Sequence, residues 1–118
     1  MASNVIYGRT TNPSRNIYSQ VGSDIDGKGK DNYLGRAVSL SSDGSVLALS
    51  GEDSGYIGET YSGHLPDYEG GGYGTDYIRV FKNIDSNWTQ VGSDINGENS
   101  NDRSGISVSL SNDGSIVA

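Results

Sequence analysis

Val38-Ser-Leu-Ser-Ser-Asp-Gly-Ser-Val-Leu-Ala-Leu-Ser50 holds two short apolar runs around an Asp-Gly pair. In the first run Val38 and Leu40 alternate with serines, the period-2 pattern of a half-buried strand. Asp43-Gly44 between two such runs is a hairpin signal, because both turn residues tolerate positive φ. Val46-Leu-Ala-Leu-Ser50 returns as the second strand. The same hairpin recurs as Ser107–Ser111, Asn112–Ser115 and Ile116–Ala118. Val38 and Leu40 are expected on its inward face, so Leu40→Asp is expected to destabilise the fold.

Outside the hairpin the duplication continues. Gln20-Val-Gly-Ser-Asp-Ile25 returns as Gln90-Val-Gly-Ser-Asp-Ile95, Gly35 falls on Gly105, and Ala48 falls on Ala118. The offset is roughly 70 residues and about half of the overlapped positions are identical, which marks a tandem structural repeat. A repeat unit seldom buries its apolar face without a neighbour of the same kind. The second copy breaks off mid-pattern at Ala118, so about one and a half units are expected. Three regions follow: a polar N-terminal arm over 1–17 outside the repeat, a first unit over 18–87 with a long loop at 51–76, and an incomplete unit over 88–118. Within the first unit Tyr77-Ile-Arg-Val-Phe-Lys82 reads as a strand. The polar turn Asn83–Asn87 leads from it into Trp88-Thr-Gln-Val-Gly92. Tyr18 and Trp88 share one place in the two copies and read as packing anchors between sheets. The expected fold is all-β, with about four short antiparallel strands per unit arranged as a meander. Such units suggest propeller blades, and a small β-sandwich is the alternative.

Composition agrees with many short strands and turns. Hydrophobic residues make up 32% of 118, with 18 Gly and a single Phe, although eight Tyr add amphipathic area. The formal net charge of −7 disfavours a nucleic-acid backbone or an anionic membrane as partner. Cysteine is absent, which excludes disulfides and thiol chemistry. No stretch is apolar enough to span a bilayer as a helix. The N-terminus lacks the basic start and apolar core of a secretory signal.

The pattern Trp88-x-Gln-x-Gly-x-Asp-Ile, an Asp/Asn-Gly loop, Gly105-x-x-Val-Ser-Leu-Ser and Asp113-Gly-Ser-Ile-Val-Ala resembles tandem repeats in large extracellular and phage-associated proteins of aquatic microbes. Those repeats are similar to β-propeller blades of the integrin-like, FG-GAP type. The resemblance runs from about Tyr18 onward and implies an adhesive or structural role. The sequence departs from that pattern where the loop before Tyr77 is swollen, which puts an evenly curved propeller in question.

That loop, Gly51 to Asp76, carries Tyr56, Tyr61, Tyr68 and Tyr73 among Gly and Ser, with His64 between them. Rigid aromatics and adaptable small residues are the composition of a binding loop. The five residues are therefore candidate contacts for a protein surface or a sugar ring; the tyrosines filling a sparse core is the competing reading. Asp24, Asp26 and Asp31 place oxygen ligands around Gly27 in a manner that suggests calcium. The spacing is not that of an EF-hand and two lysines lie inside the loop, so a plain Asx-type turn competes. His64 is the sole histidine, which leaves no Cys/His or zinc set to assemble. Gly70-Gly-Gly-Tyr-Gly74 precedes a strand and lacks the Lys-Ser/Thr of a phosphate loop.

A non-enzymatic structural or attachment module is therefore expected, working through protein or glycan contacts. The leading setting is a virion, as a phage tail-fibre or capsid-surface protein whose partners are copies of itself or a larger assembly, the polar arm docking it on the particle. A secreted bacterial adhesin or matrix protein is the second reading. A glycan hydrolase is the third, with no catalytic constellation to support it.

Overall fold

The computed structural model describes residues 3–9, 18–29, 32–52, 75–99 and 102–118. The strands are β1 (Ser3–Asn4), β2 (Tyr7–Arg9), β3 (Tyr18–Gln20), β4 (Ile25–Asp26), β5 (Val38–Leu40), β6 (Val46–Gly51), β7 (Tyr77–Ile84), β8 (Asn87–Gln90) and β9 (Ile95–Asn96). No helix occurs among the described residues, and every ladder is antiparallel. The fold is all-β.

The central sheet is a meander in the order β5-β6-β7-β8, with β9 also on β7. The long strand β7 pairs Tyr77 and Ile78 with β9, and Phe81 to Ile84 with β8. Between these two ladders the Val91 amide donates to the Val80 carbonyl. β8 and β9 thus form one edge strand, interrupted by the turn at Gly92.

The same construction appears upstream. β1 pairs with β4, β2 pairs with β3, and the Val21 amide donates to the Ile6 carbonyl. Tyr7 faces Gln20 as Phe81 faces Gln90, and Asn4 faces Ile25 as Ile78 faces Ile95. Residues 3–9 therefore stand to β3 and β4 as β7 stands to β8 and β9. Of the polar arm expected over 1–17, residues 3–9 are paired strand with the same register as β7. Residues 10–17 separate β2 from β3 where Asp85-Ser86 alone separate β7 from β8, so a comparison at one fixed offset passes over the match.

β6 accounts for the core. All six of its residues are buried, which explains the unbroken run Val-Leu-Ala-Leu in place of a polar alternation. On one face Leu47 and Leu49 cluster with Ile25, Leu34, Tyr77, Phe81 and Trp88, and Ile6 packs against them. On the other, Ala48 joins Ile78 and Val108, flanked by Ala37, Val80, Leu110 and Val117. The upstream strands cover the first face and the second hairpin covers the other. Burying one aliphatic or aromatic side chain contributes on the order of 1.5–3 kcal/mol, so these two layers carry most of the apolar stabilisation.

Both hairpins form, but their turn differs from the expected one. The Gly44 amide donates to the Ser41 carbonyl, and only Gly44, at φ 75°, is left-handed. The Ser41 amide donates to the Val46 carbonyl, so the loop runs from Ser42 to Ser45 and holds a tight turn over Ser41–Gly44 that ends on glycine. Asp43 keeps ordinary backbone because its carboxylate is engaged: Oδ1 accepts from Ser41 Oγ, from Ser45 Oγ and from the Ser45 amide. Asp113 repeats all three bonds with Ser111 and Ser115, and the Leu110–Val117 bridge closes that hairpin. The turn with two positive φ values is Asp85-Ser86, at 51° and 66°.

A second correction concerns the inward face. Val38 and Leu40 do share a face with Leu49 and Leu47 through the β5–β6 register. They are nevertheless 54% and 47% exposed, whereas the equivalent Val108 is 9% exposed. Ala48 and Ile78 of the central sheet cover Val108; nothing comparable among the described residues lies over Val38. The aromatic anchors divide in the same way. Trp88 is buried and donates its indole N–H to the Val21 carbonyl, while Tyr18 is 62% exposed.

The stacked hairpin gives a direct test. A Cβ on Gly114 would lie 2.6 Å from Val46 Cβ, whereas one on Gly44 would meet nothing nearer than Leu40 Cδ2 at 3.9 Å. Gly44→Ala should cost about 1 kcal/mol of left-handed strain, and Gly114→Ala should cost about 1–3 kcal/mol more through overpacking. Urea unfolding of the two variants measures the difference, and equal midpoints would contradict the stacking.

Candidate functional site

The residues singled out for binding, Tyr56, Tyr61, His64, Tyr68 and Tyr73, lie outside the described residues, as does Asp31. Asp24 and Asp26 are described. Asp24 Oδ1 accepts from Gln20 Nε2 at 2.7 Å, and Asp26 lies exposed in β4. Among the described residues no three His, Asp or Glu side chains gather as a metal would need.

The repeated Gln-Val-Gly-Ser-Asp-Ile segment has a mechanical role. Gln20 Nε2 bonds both the Gly22 carbonyl and Asp24, and Gln90 Nε2 bonds the Gly92 carbonyl and Asp94. Each glutamine clasps the turn that interrupts its edge strand. In the second copy the clasp gains charge. Asp94 accepts from Arg79 Nε at 2.8 Å and pairs with Lys28 Nζ at 2.6 Å. Lys28 and Arg79 lie 4.0 and 5.1 Å from the centre of the Tyr77 ring, close enough for cation–π attraction. Tyr77 is fully buried, and its hydroxyl has no hydrogen-bond partner among the described residues. The hydrogen bond from Arg79 holds the Asp94 carboxyl well below the usual carboxylate range despite partial burial. Lys28, one of the lysines that weakened the calcium reading, thus ties the upstream strands to the central sheet. The sequence signal for this clamp was the Gln-x-x-x-Asp spacing present in both copies; its cationic half comes from residues distant in the chain.

One open groove among the described residues is apolar. Val5, Ile6, Val38, Leu40, Leu47 and Leu49 line this groove of about 220 Å³ between β5–β6 and the upstream strands. It presents hydrocarbon without a titratable group, and so suits a side chain or strand of a protein partner better than a polar substrate.

No family model matches the chain, and no curated protein and no solved structure matches it. The geometry above is therefore the ground for a functional reading.

The serine–aspartate buckles set a pH dependence. Bonds from the Ser45 amide and hydroxyl and from Ser41 lower Asp43 to about 2, and the same set around Ser115 and Ser111 lowers Asp113 to about 2. A carboxylate lowered on folding contributes stability that is complete above its unfolded value near 3.8 and is lost as pH falls through the folded value. The thermal midpoint should hold from neutral pH to about pH 4 and drop between about pH 4 and pH 2. In the Asp43→Asn/Asp113→Asn double variant the neutral-pH midpoint should be lower and the acid drop shallower. A circular-dichroism melt series checks both.

Proposed function

We propose that the chain is a repeat module of the β-propeller-blade kind that works without catalysis, as a structural or attachment part of a virus particle such as a tail fibre or capsid surface. The observation that supports this reading most is the face-to-face stacking of successive units. Ala48 and Ile78 of the central meander receive Val108 of the next, and Trp88 reaches back to Val21 of the preceding strands. Antiparallel meanders stacked face to face are the building principle of a propeller.

Where the repeated side chains are described, they serve as scaffold: the Asp43 and Asp113 buckles, the Gln20 and Gln90 clasps, and the Ala48 layer. Residues that must differ between proteins with different targets are then sought in the part that does not repeat. That part is the Tyr/Gly-rich stretch 51–76, with Tyr56, Tyr61, His64, Tyr68 and Tyr73 as the contact residues. Aromatic rings separated by small residues supply contact area for a protein surface or a sugar ring.

Mass spectrometry on purified virus particles and on the secreted fraction of the encoding culture tests the setting. Enrichment in the particles supports the virion reading, and presence in the secreted fraction alone supports an adhesin. For the binding role, deletion of Glu59–Gly72 should preserve the β-sheet spectrum and abolish binding on glycan arrays and host-cell envelopes. A deletion that unfolds the chain would assign the tyrosines to packing instead.

A further inference from the structure

We propose that copies of this chain join head to tail, the hairpin at 108–118 of one copy combining with residues 3–9 and 18–26 of the next to make a complete meander. The proposal needs the ladders and layers described above, and neither ring closure nor a virion setting.

Among the described residues the second hairpin supplies the counterparts of β5 and β6, through Leu110–Val117 and the matching turn. Residues 3–9 and 18–26 supply the counterparts of β7, β8 and β9. Each part is one half of the unit that the central sheet shows whole. The β6–β7 ladder provides the register for joining them. It pairs Val46 with Lys82, Leu47 with Phe81 and Ala48 with Val80. Carried to equivalent residues, Ile116 pairs with Gly8, Val117 with Tyr7 and Ala118 with Ile6 of the next copy.

Independent positions show what such a joint would cover. Val108 is 9% exposed beneath Ala48, while its counterpart Val38 is 54% exposed in the apolar groove. Ala118, the counterpart of Ala48, would lie over Val38 and Leu40. Gly114 packs directly on Val46, whereas among the described residues Gly44 has no neighbour beyond its own hairpin; Ile116 would fill that place. Gly22 packs on the Trp88 ring, whereas Gly92 has no such neighbour among the described residues. Tyr18, the 62% exposed counterpart of Trp88, would cover Gly92 of the preceding copy. Thus the uncovered places at one end match the uncovered side chains at the other. The two surfaces differ from each other, so the contact is heterologous and generates a ring or an open filament instead of a two-fold dimer.

The absence of cysteine makes a crosslinking test clean. Ile6→Cys and Ala118→Cys chains, each carrying one thiol, are mixed and oxidised, with Tyr7→Cys and Val117→Cys as a second pair. Both mixtures should form the mixed disulfide at least tenfold faster than either variant bridges to itself, and faster than Ala118→Cys bridges to Asn87→Cys. Sedimentation of the unmodified chain should show association that rises with concentration, reduced at least tenfold by Leu40→Asp. Mixed bridging no faster than self-bridging in both pairs would overturn the proposal. So would a wild-type chain that stays monomeric into the millimolar range, or a Leu40→Asp variant that associates like wild type.

Discussion

Burial of β6 on both faces is the constraint on which the other elements depend. A strand with apolar side chains above and below needs a layer on each side, and neither layer can come from its own sheet. The upstream strands supply one through Ile6 and Ile25, and the second hairpin supplies the other through Val108. Removing either would expose leucine or isoleucine to water at about 25 cal/mol per Å² of apolar surface. The polar parts follow from this arrangement. Closely stacked sheets need compact turns, so serines and an aspartate satisfy the turn amides, and glycine stands where the neighbouring sheet comes closest.

Much of this was legible because the repeat doubled each signal. The hairpins, the β7 strand and the antiparallel meander all followed from alternation and from turn residues at corresponding places. Trp88 as an inter-sheet anchor followed from its position in the unit. What the sequence concealed depends on which neighbour is present. Val38 and Val108 occupy identical local patterns, yet one is exposed and the other buried, because burial is set by a layer that periodicity does not encode. Residues 3–9 were obscured by a connection of different length. The Asp43-Gly44 pair suggested a turn with two left-handed residues, but side-chain bonds to Asp43 favoured another turn type.

The candidate site was less legible for a related reason. Acidic residues spaced around a glycine suit a cation in sequence, but a carboxylate can instead take its hydrogen bonds from protein groups. Asp24 receives Gln20; Asp94 receives Gln90, Arg79 and Lys28. The cations that engage Asp94 come from different layers, so the duplicated motif serves cohesion between layers as well as the turn. The tyrosines proposed for recognition lie outside the described residues.

The chain contains a single tryptophan, and its indole sits at the junction between the upstream strands and the central sheet, bonded to the Val21 carbonyl. That placement gives the molecule a built-in optical reporter. Indole emission depends on the polarity around the ring, so its wavelength registers whether this one junction is dry. Separation of the upstream strands would move the emission to the red while the hydrogen-bonded sheet kept its far-ultraviolet signature. The two signals together distinguish parting of layers from loss of strands.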